Sequence, residues 1–447
     1  MVVQTVVAIA ETFIFGKLGT EALAGFALVF PLMMMMTMMA AGGMGGGVAA
    51  AMARTLGAGR VDDARVLVLH ALLLGAGLAL LFALLAWIGG PWLYRLLGGS
   101  DRSLDNALIY SNVLFSGSIF IWANFILSAL LRGGGDAATP GRYMLVSSIA
   151  QVPLSYVLAL GIGSWPGFGM AGPALSALLT SAVSALLQAR ALWRGKLGFV
   201  PRIEGVRLQG RLFWDILKVG LLASFSAVTA NLTSMLVTGL VGRFGVEALA
   251  GYGIGVRLEF MLVPLSFGIG SALTTLVGVA AGANDWQRAV RAAWFGGLIA
   301  GGMLGVCGWI VALVPEGWTR LFTDDPQVIA ATVAYITRVA PFYCLFGLGM
   351  TLSFASQGAG RMKAPLVAGL TRMAIATVGG WYAVEVLGWG LPGVFTAIAV
   401  SMVAFGALIA GPLLVKPWHA KRGSLLPTQG GNDEPSLDNR HVEPQSR

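Results

Sequence analysis

Twelve long apolar runs, divided by short polar breaks, leave this chain few folds to choose from. They cover approximately residues 1–16, 24–53, 66–90, 104–131, 143–162, 169–189, 213–241, 248–281, 289–314, 328–356, 364–387 and 390–415. An α-helix of about 20 apolar residues crosses the hydrocarbon core of a bilayer and satisfies its own backbone hydrogen bonds there. A transmembrane β-barrel would show shorter segments alternating apolar and polar, and these runs do not alternate. The expected class is an all-α polytopic membrane protein with twelve transmembrane helices. Charge agrees: 11% of the residues are charged and 57% hydrophobic, where a soluble domain carries about 25% charged residues. Soluble enzymes, nucleic-acid-binding domains and disordered scaffolds are thereby excluded. The 63 glycines suit a bundle whose helices approach closely.

Lysine and arginine positions set an expected orientation. Of the 29, 20 lie in the loops after even-numbered runs or in the tail, counting Arg291 with the loop it borders. Five follow odd-numbered runs, and Lys218, Arg257, Arg338 and Arg372 lie inside runs. Positive residues stay on the cytoplasmic side, so both termini are expected there. The basic stretch 190–212 reads as a cytoplasmic linker near anionic lipid rather than a nucleic-acid patch. Residues 416–447, rich in Pro, Gly, Asn and Asp, read as a disordered cytoplasmic tail. The stretch before Lys17 is short for a full span, and a missing N-terminal segment is expected.

The chain also repeats itself. Gly19-Thr20-Glu21-Ala22-Leu23-Ala24-Gly25 recurs as Gly245-Val246-Glu247-Ala248-Leu249-Ala250-Gly251, at an offset of 226. Gly57-Ala58 recurs as Gly282-Ala283, Arg95-Leu96 as Arg320-Leu321, and Gly133-Gly134-Gly135 with Pro140 as Gly358-Ala359-Gly360 with Pro365, each at an offset of 225. Each unit holds six runs, an even number, so the second copy starts on the same side as the first. The expectation is two parallel six-helix lobes, 1–189 and 213–415, around a central cavity, which is a transporter architecture.

These repeated segments carry a family resemblance. Glu11-Thr12-Phe13-Ile14-Phe15-Gly16-Lys17-Leu18-Gly19, Leu131-Arg132-Gly133-Gly134-Gly135-Asp136 with Thr139-Pro140, and Gly169-Met170-Ala171-Gly172-Pro173-Ala174 lie in the first half. Tyr252-Gly253-Ile254-Gly255-Val256-Arg257-Leu258-Glu259 and Gln357-Gly358-Ala359-Gly360 with Pro365 lie in the second. Taken in order, the chain resembles the multidrug and toxic compound extrusion (MATE) family, and looks closest to its DinF-like branch. The resemblance implies alternating access between two lobes and export of amphipathic, often cationic, organic compounds in exchange for H⁺, with Na⁺ second. It also implies that an acid on the first helix, here Glu11, is the proton- or cation-responsive group. Two departures stand out. Where the family's fifth helix often carries an Asn and an Asp four residues apart, this chain has Gln151 and Ser155. On the seventh helix, where some branches carry an acid, the nearest polar residue is Asn231, which disfavours a Na⁺ site there.

The residues themselves leave alternatives open. A carboxylate in an apolar run is costly to leave charged, so Glu11 either serves exchange from a cavity or sits at the membrane surface as a solvated end charge. Arg257 and Glu259, two apart on one helix, do not face each other and could join different polar clusters. Each is a cavity group or half of a structural ion pair, and Arg372 is similar. Asn112, Asn124, Gln151, Ser155, Asn231 and Thr238 supply either cavity hydrogen bonds or interhelical glue. Of the run Met33, Met34, Met35, Met36, Met38 and Met39, one or two could line an adaptable binding surface. His70, near a span start, reads as interfacial, and Glu385 likewise. Pro31, Pro153, Pro264 and Pro341 fall inside runs and permit kinks. Cys307 and Cys344 form no disulfide or metal motif. No G-x-x-x-x-G-K-[ST] phosphate loop is present, so an ion gradient rather than a nucleotide is the expected energy source, with no cofactor. Organic substrates, H⁺ or Na⁺ and lipid are the expected partners of a monomer; nucleic acid is not. A lipid-linked saccharide flippase remains the nearest alternative, disfavoured by only four basic residues within the runs. A membrane-embedded transferase would need an Asp, His or Glu cluster at one membrane face, and none is visible.

Overall fold

The structure, a computed structural model, describes residues 2–202, 204–415 and 418. Its helices form twelve passes: α1 (Val2–Leu18), α2 (Thr20–Gly57), α3 (Val61–Leu96), α4 (Asp101–Ser116 and Ser118–Gly133), α5 (Ala138–Leu160) and α6 (Ala171–Trp193), then α7 (Gly210–Gly242), α8 (Val246–Gly282), α9 (Trp286–Leu313), α10 (Pro326–Gly358), α11 (Lys363–Ala374, Ile375–Gly379 and Gly380–Glu385) and α12 (Gly390–Val415). Among the described residues nine are long and apolar enough to cross a bilayer unaided, and ten if α4 counts as one bent pass. The tail expected at 416–447 lies outside the described residues, apart from Trp418.

The internal repeat is visible in the helix boundaries. Asp101 and Gly133 bound α4, and Pro326 and Gly358, their counterparts at the repeat offset, bound α10. Ala138 and Leu160 stand in the same relation to Lys363 and Glu385. The fourth apolar run reads in sequence as one straight span. Instead α4 bends by 48° at Gly117, where a Cβ would collide with the Leu178 side chain of α6. Its counterpart α10 breaks at Ala340–Phe342, around Pro341, which has no N–H to continue the helix. The long second run is continuous but carries one wide π-turn at Met39–Met44. Beyond it Gly47 lies against Gly220 of α7, close enough that neither helix of the crossing has room for a larger residue.

The two lobes meet mainly at the end that bears the 190–212 stretch. Gly57 of α2 presses on the backbone of Val279 in α8, and Gly282 presses on the backbone of Arg54 in the same way. Arg54 reaches across to donate to the carbonyls of Gly358 (3.0 Å) and Asp215 (3.3 Å). The first of these lies at the α10 C-terminus, where no further helical turn would satisfy it. Thr275 donates to the Arg132 carbonyl at 2.9 Å. The connection between α6 and α7 is strapped to the first lobe by a 2.9 Å ion pair from Arg211 to Asp63 and by His70. That histidine is fully buried within the protein. Its Nε2 accepts from the Gln209 N–H at 2.9 Å and its Nδ1 lies 2.9 Å from the Val66 carbonyl. Accepting on one nitrogen and donating on the other identifies the neutral tautomer.

Candidate functional site

In the first lobe, α1 carries Glu11 inward to a side chain only 8% exposed, so it is not a solvated end charge. Gln151 of α5 donates from Nε2 to Glu11 Oε1 at 2.8 Å, and the Gln151 carbonyl accepts from Ser176 of α6 at 2.9 Å. Two helices thus meet at the carboxylate, and a third holds the backbone of its amide partner. An amide at position 151 can donate to a carboxylate where an acid in its charged form could not. Phe15 stacks on Phe26 at 4.3 Å, and Tyr110 stands edge-on to both, sealing the neighbourhood with apolar ring surface. Among the described residues no cationic side chain pairs with Glu11. Ser155, one turn beyond Gln151, is buried with its hydroxyl unpartnered.

The second lobe holds a carboxylate with a different companion. Glu259 of α8 accepts from the Tyr335 hydroxyl at 3.2 Å and from Arg372 Nη2 at 3.4 Å. The side chains of Arg372 and Glu259 are 19% and 16% exposed. The Arg372 guanidinium lies 4.6 Å from the Phe346 ring centre and 5.7 Å from that of Phe405. The repeat relates these groups to the first lobe. Tyr335 is the counterpart of Tyr110 at the offset of 225, and Glu259 that of Met33 at the offset of 226. Tyr110 donates to the Met33 sulfur at 3.5 Å. The same tyrosine–partner geometry therefore ends on a thioether in one lobe and a carboxylate in the other. Val237, the counterpart of Glu11, is a buried apolar residue. Each lobe thus carries an interior acid, at positions the repeat does not equate.

A cavity of about 200 Å³ lies mainly within the second lobe. Gly42 is its contribution from the first lobe; the remaining wall comes from α7, α10, α11 and α12, including Thr229, Gln357, Arg372 and Phe405. Gln357 also donates to the Gly42 carbonyl at 3.1 Å, closing one edge.

The family model MatE matches residues 1–157 and 223–382, the greater part of both halves. The chain belongs to the MatE family. It is 28% identical over 436 residues to "Probable multidrug resistance protein NorM" of Deinococcus radiodurans, covering 92% of this chain and 91% of that one. To the protein of the same name in Thermotoga maritima it is 27% identical over 271 residues, covering 59% of this chain; the match spans 56% of that relative's length. A solved structure described as "Crystal structure of MATE in the bent conformation" superposes with a TM-score of 0.85 at 24% identity, covering 92% of each chain. The twelve-helix fold is thus that of the MATE transporters, and this MatE chain is a polytopic membrane protein of a transporter family rather than an enzyme.

Within the MatE fold the other sequence candidates part company. Asn112 is exposed. Asn231 is exposed too, and donates to the Ala227 carbonyl at 2.9 Å and to the Met38 sulfur, a contact between lobes. Arg257 is separate from Glu259, as their spacing requires: it lies over the Phe322 ring at 5.5 Å and lines another hollow. It is Arg372 that pairs with Glu259. Glu385 forms an exposed ion pair with Arg243 at 3.0 Å. In the methionine run Met36 is buried while Met34 and Met35 are exposed, and none of the run lines the cavity that Arg372 and Gln357 help to wall. Sequence reasoning passed over Tyr335 and Gln357, although recurrence of tyrosine at the repeat offset would have found the first. It also passed over Gln188, which accepts from Ser128 at 2.7 Å and donates to Asn124 at 2.6 Å. Among the described residues no group of three His, Cys, Asp or Glu side chains is placed to hold a metal ion.

Proposed function

We propose that this MatE protein is a secondary active efflux antiporter that exports amphipathic, often cationic, organic compounds in exchange for H⁺, with Na⁺ the second choice. It works by alternating access, as a monomer in the cytoplasmic (inner) membrane with both termini inside. The single observation that carries the reading is Glu11, a buried carboxylate whose hydrogen-bond partner is the neutral Gln151 amide. Among the described residues it has no cationic side chain as a partner. Such a group is electrically neutral in an apolar wall only with a proton on it, and an arriving cation takes the place of that proton. Proton and cationic substrate then exclude each other at one oxygen pair, which is the requirement for exchange. Closure of the lobes at the linker end supports reading this state as outward-open. The multidrug names of its relatives support the cargo class.

The test is Glu11→Gln in proteoliposomes loaded with ethidium. Wild-type protein should move the dye when a pH gradient is imposed, and the variant should lose that coupling while remaining folded. Unimpaired pH-driven transport by the variant would sink the assignment of Glu11. Transport driven by a Na⁺ gradient alone would replace H⁺ with Na⁺.

A further inference from the structure

Among the described residues the cavity of the second lobe is lined by one charged side chain, and it is a cation. Arg372 and Phe405 stand in its wall, whereas Glu259, the acid that pairs with Arg372, does not line it. The guanidinium lies against the rings of Phe346 and Phe405, which restrains it by cation–π contact and leaves N–H groups to make hydrogen bonds. Those N–H groups are poorly used. The contact to Glu259 is single and long, at 3.4 Å. A guanidinium and a carboxylate more often meet through two parallel, shorter bonds. The Arg372 Nε is buried without a partner. The hydroxyls in the same wall, Ser226, Thr229 and Ser353, donate to carbonyls of their own helices, and none of them is a hydrogen-bond partner of Arg372. The first-lobe counterpart of Arg372 is Ser147, so the repeat does not require an arginine here.

We propose that this second-lobe cavity is an anion-receiving subsite, in which Arg372 takes the carboxylate or phosphate group of an amphipathic organic acid. The apolar body of the ligand rests on Phe354, Met350, Met362 and Phe405, all in the same wall. Binding exchanges one partner of Arg372 for another: the ligand's anion forms the two-point contact that Glu259 does not, and Glu259 is left to the Tyr335 hydroxyl. The proposal rests on the reading of this cavity as part of an efflux carrier's transport route, and it extends the cargo from cations to acids.

The probe is N-dansyl-phenylalanine, compared with its primary amide, which has the same body and no charge. Binding is followed by dansyl fluorescence to full-length protein in lipid nanodiscs, with empty nanodiscs as background. The acid should bind at least about tenfold more tightly than the amide, the discrimination expected of a charge-assisted bidentate contact. Glu259→Gln should tighten acid binding further, since it frees Arg372, an effect opposite in sign to structural damage. The double variant Glu259→Gln/Arg372→Gln, which leaves no unpaired charge, should bind acid and amide alike. Equal affinity of wild-type protein for acid and amide overturns the proposal whether or not any variant folds, and so does weaker acid binding by a folded Glu259→Gln. Ethidium efflux by the same preparation reports separately on the carrier reading: efflux without acid preference sinks the subsite alone, and acid preference without efflux sinks the carrier reading.

Discussion

Gly57 and Gly282 are counterparts in the repeat, and each fills its place only because it has no side chain. A Cβ on Gly57 would overlap the Val279 carbonyl, and a Cβ on Gly282 would overlap that of Arg54. Since Arg54 and Val279 are related by the same offset, the two contacts are one contact made twice across the pseudo-twofold axis. Close approach of this kind is what glycine permits in membrane helix packing, and here it joins the two lobes at the linker end.

Substituting leucine for Gly57 or Gly282 should therefore drive the lobes apart at the linker end. Spin labels at Asp62 and Asn284, exposed residues in the two loop regions beside the contact, would show a longer distance by double electron–electron resonance. An unchanged distance distribution would mean that the glycine pair does not set the closed state.

Arg54 adds a polar clasp to that contact through its bonds to Gly358 and Asp215. Arg54→Lys retains the charge but not the fork that reaches several carbonyls. The same label pair should show a second, wider population in Arg54→Lys, smaller than that produced by the glycine variants. A distribution identical to wild type would remove the clasp from the account of closure.

The ion pair in the second lobe should reveal itself by non-additivity. Removing one partner of a buried pair leaves an uncompensated charge and costs roughly 3–5 kcal/mol, whereas removing both is far milder. Arg372→Met should lower the unfolding temperature in detergent more than Arg372→Met/Glu259→Gln does. Additive losses would indicate that the two side chains do not interact.

Gln151→Leu keeps the volume near Glu11 but withdraws its 2.8 Å donor. Leaving a buried acceptor without its partner costs about 1–3 kcal/mol. Transport should persist at reduced rate with a displaced pH profile, measured by ethidium efflux across a pH series. A profile identical to wild type would show that the amide does not govern Glu11.

His70→Leu should release the connection between the lobes, because leucine offers no acceptor for the Gln209 N–H. Limited trypsin digestion should then cut faster at Arg202 and Arg207 than in wild-type protein. Equal cleavage rates would show that the strap is held by the Arg211–Asp63 pair alone.

Much of the architecture is written locally along the chain. Long apolar runs demand helices because a bilayer offers no partner for a free backbone N–H. The offset that joins Gly57 to Gly282 announces two lobes before any contact is known. Glu11 is conspicuous for the same reason, as a charge in an apolar run. Partnership is another matter. Nothing in the one-dimensional pattern says that Glu259 faces Arg372, far along the chain, rather than Arg257 on its own helix. Nor does it say that Gln151 turns to Glu11 from four helices away, or that His70 is buried under the linker. Those facts depend on helix rotation and on which faces of which helices meet. In a bundle where nearly every face is apolar, hydrophobic periodicity cannot distinguish a lipid-facing side from a buried one. The amino-acid sequence by itself determined the membrane class, the repeat and the first carboxylate. Only tertiary packing decided what each polar group touches, and so which one lies beside a neutral amide and which beside a cation.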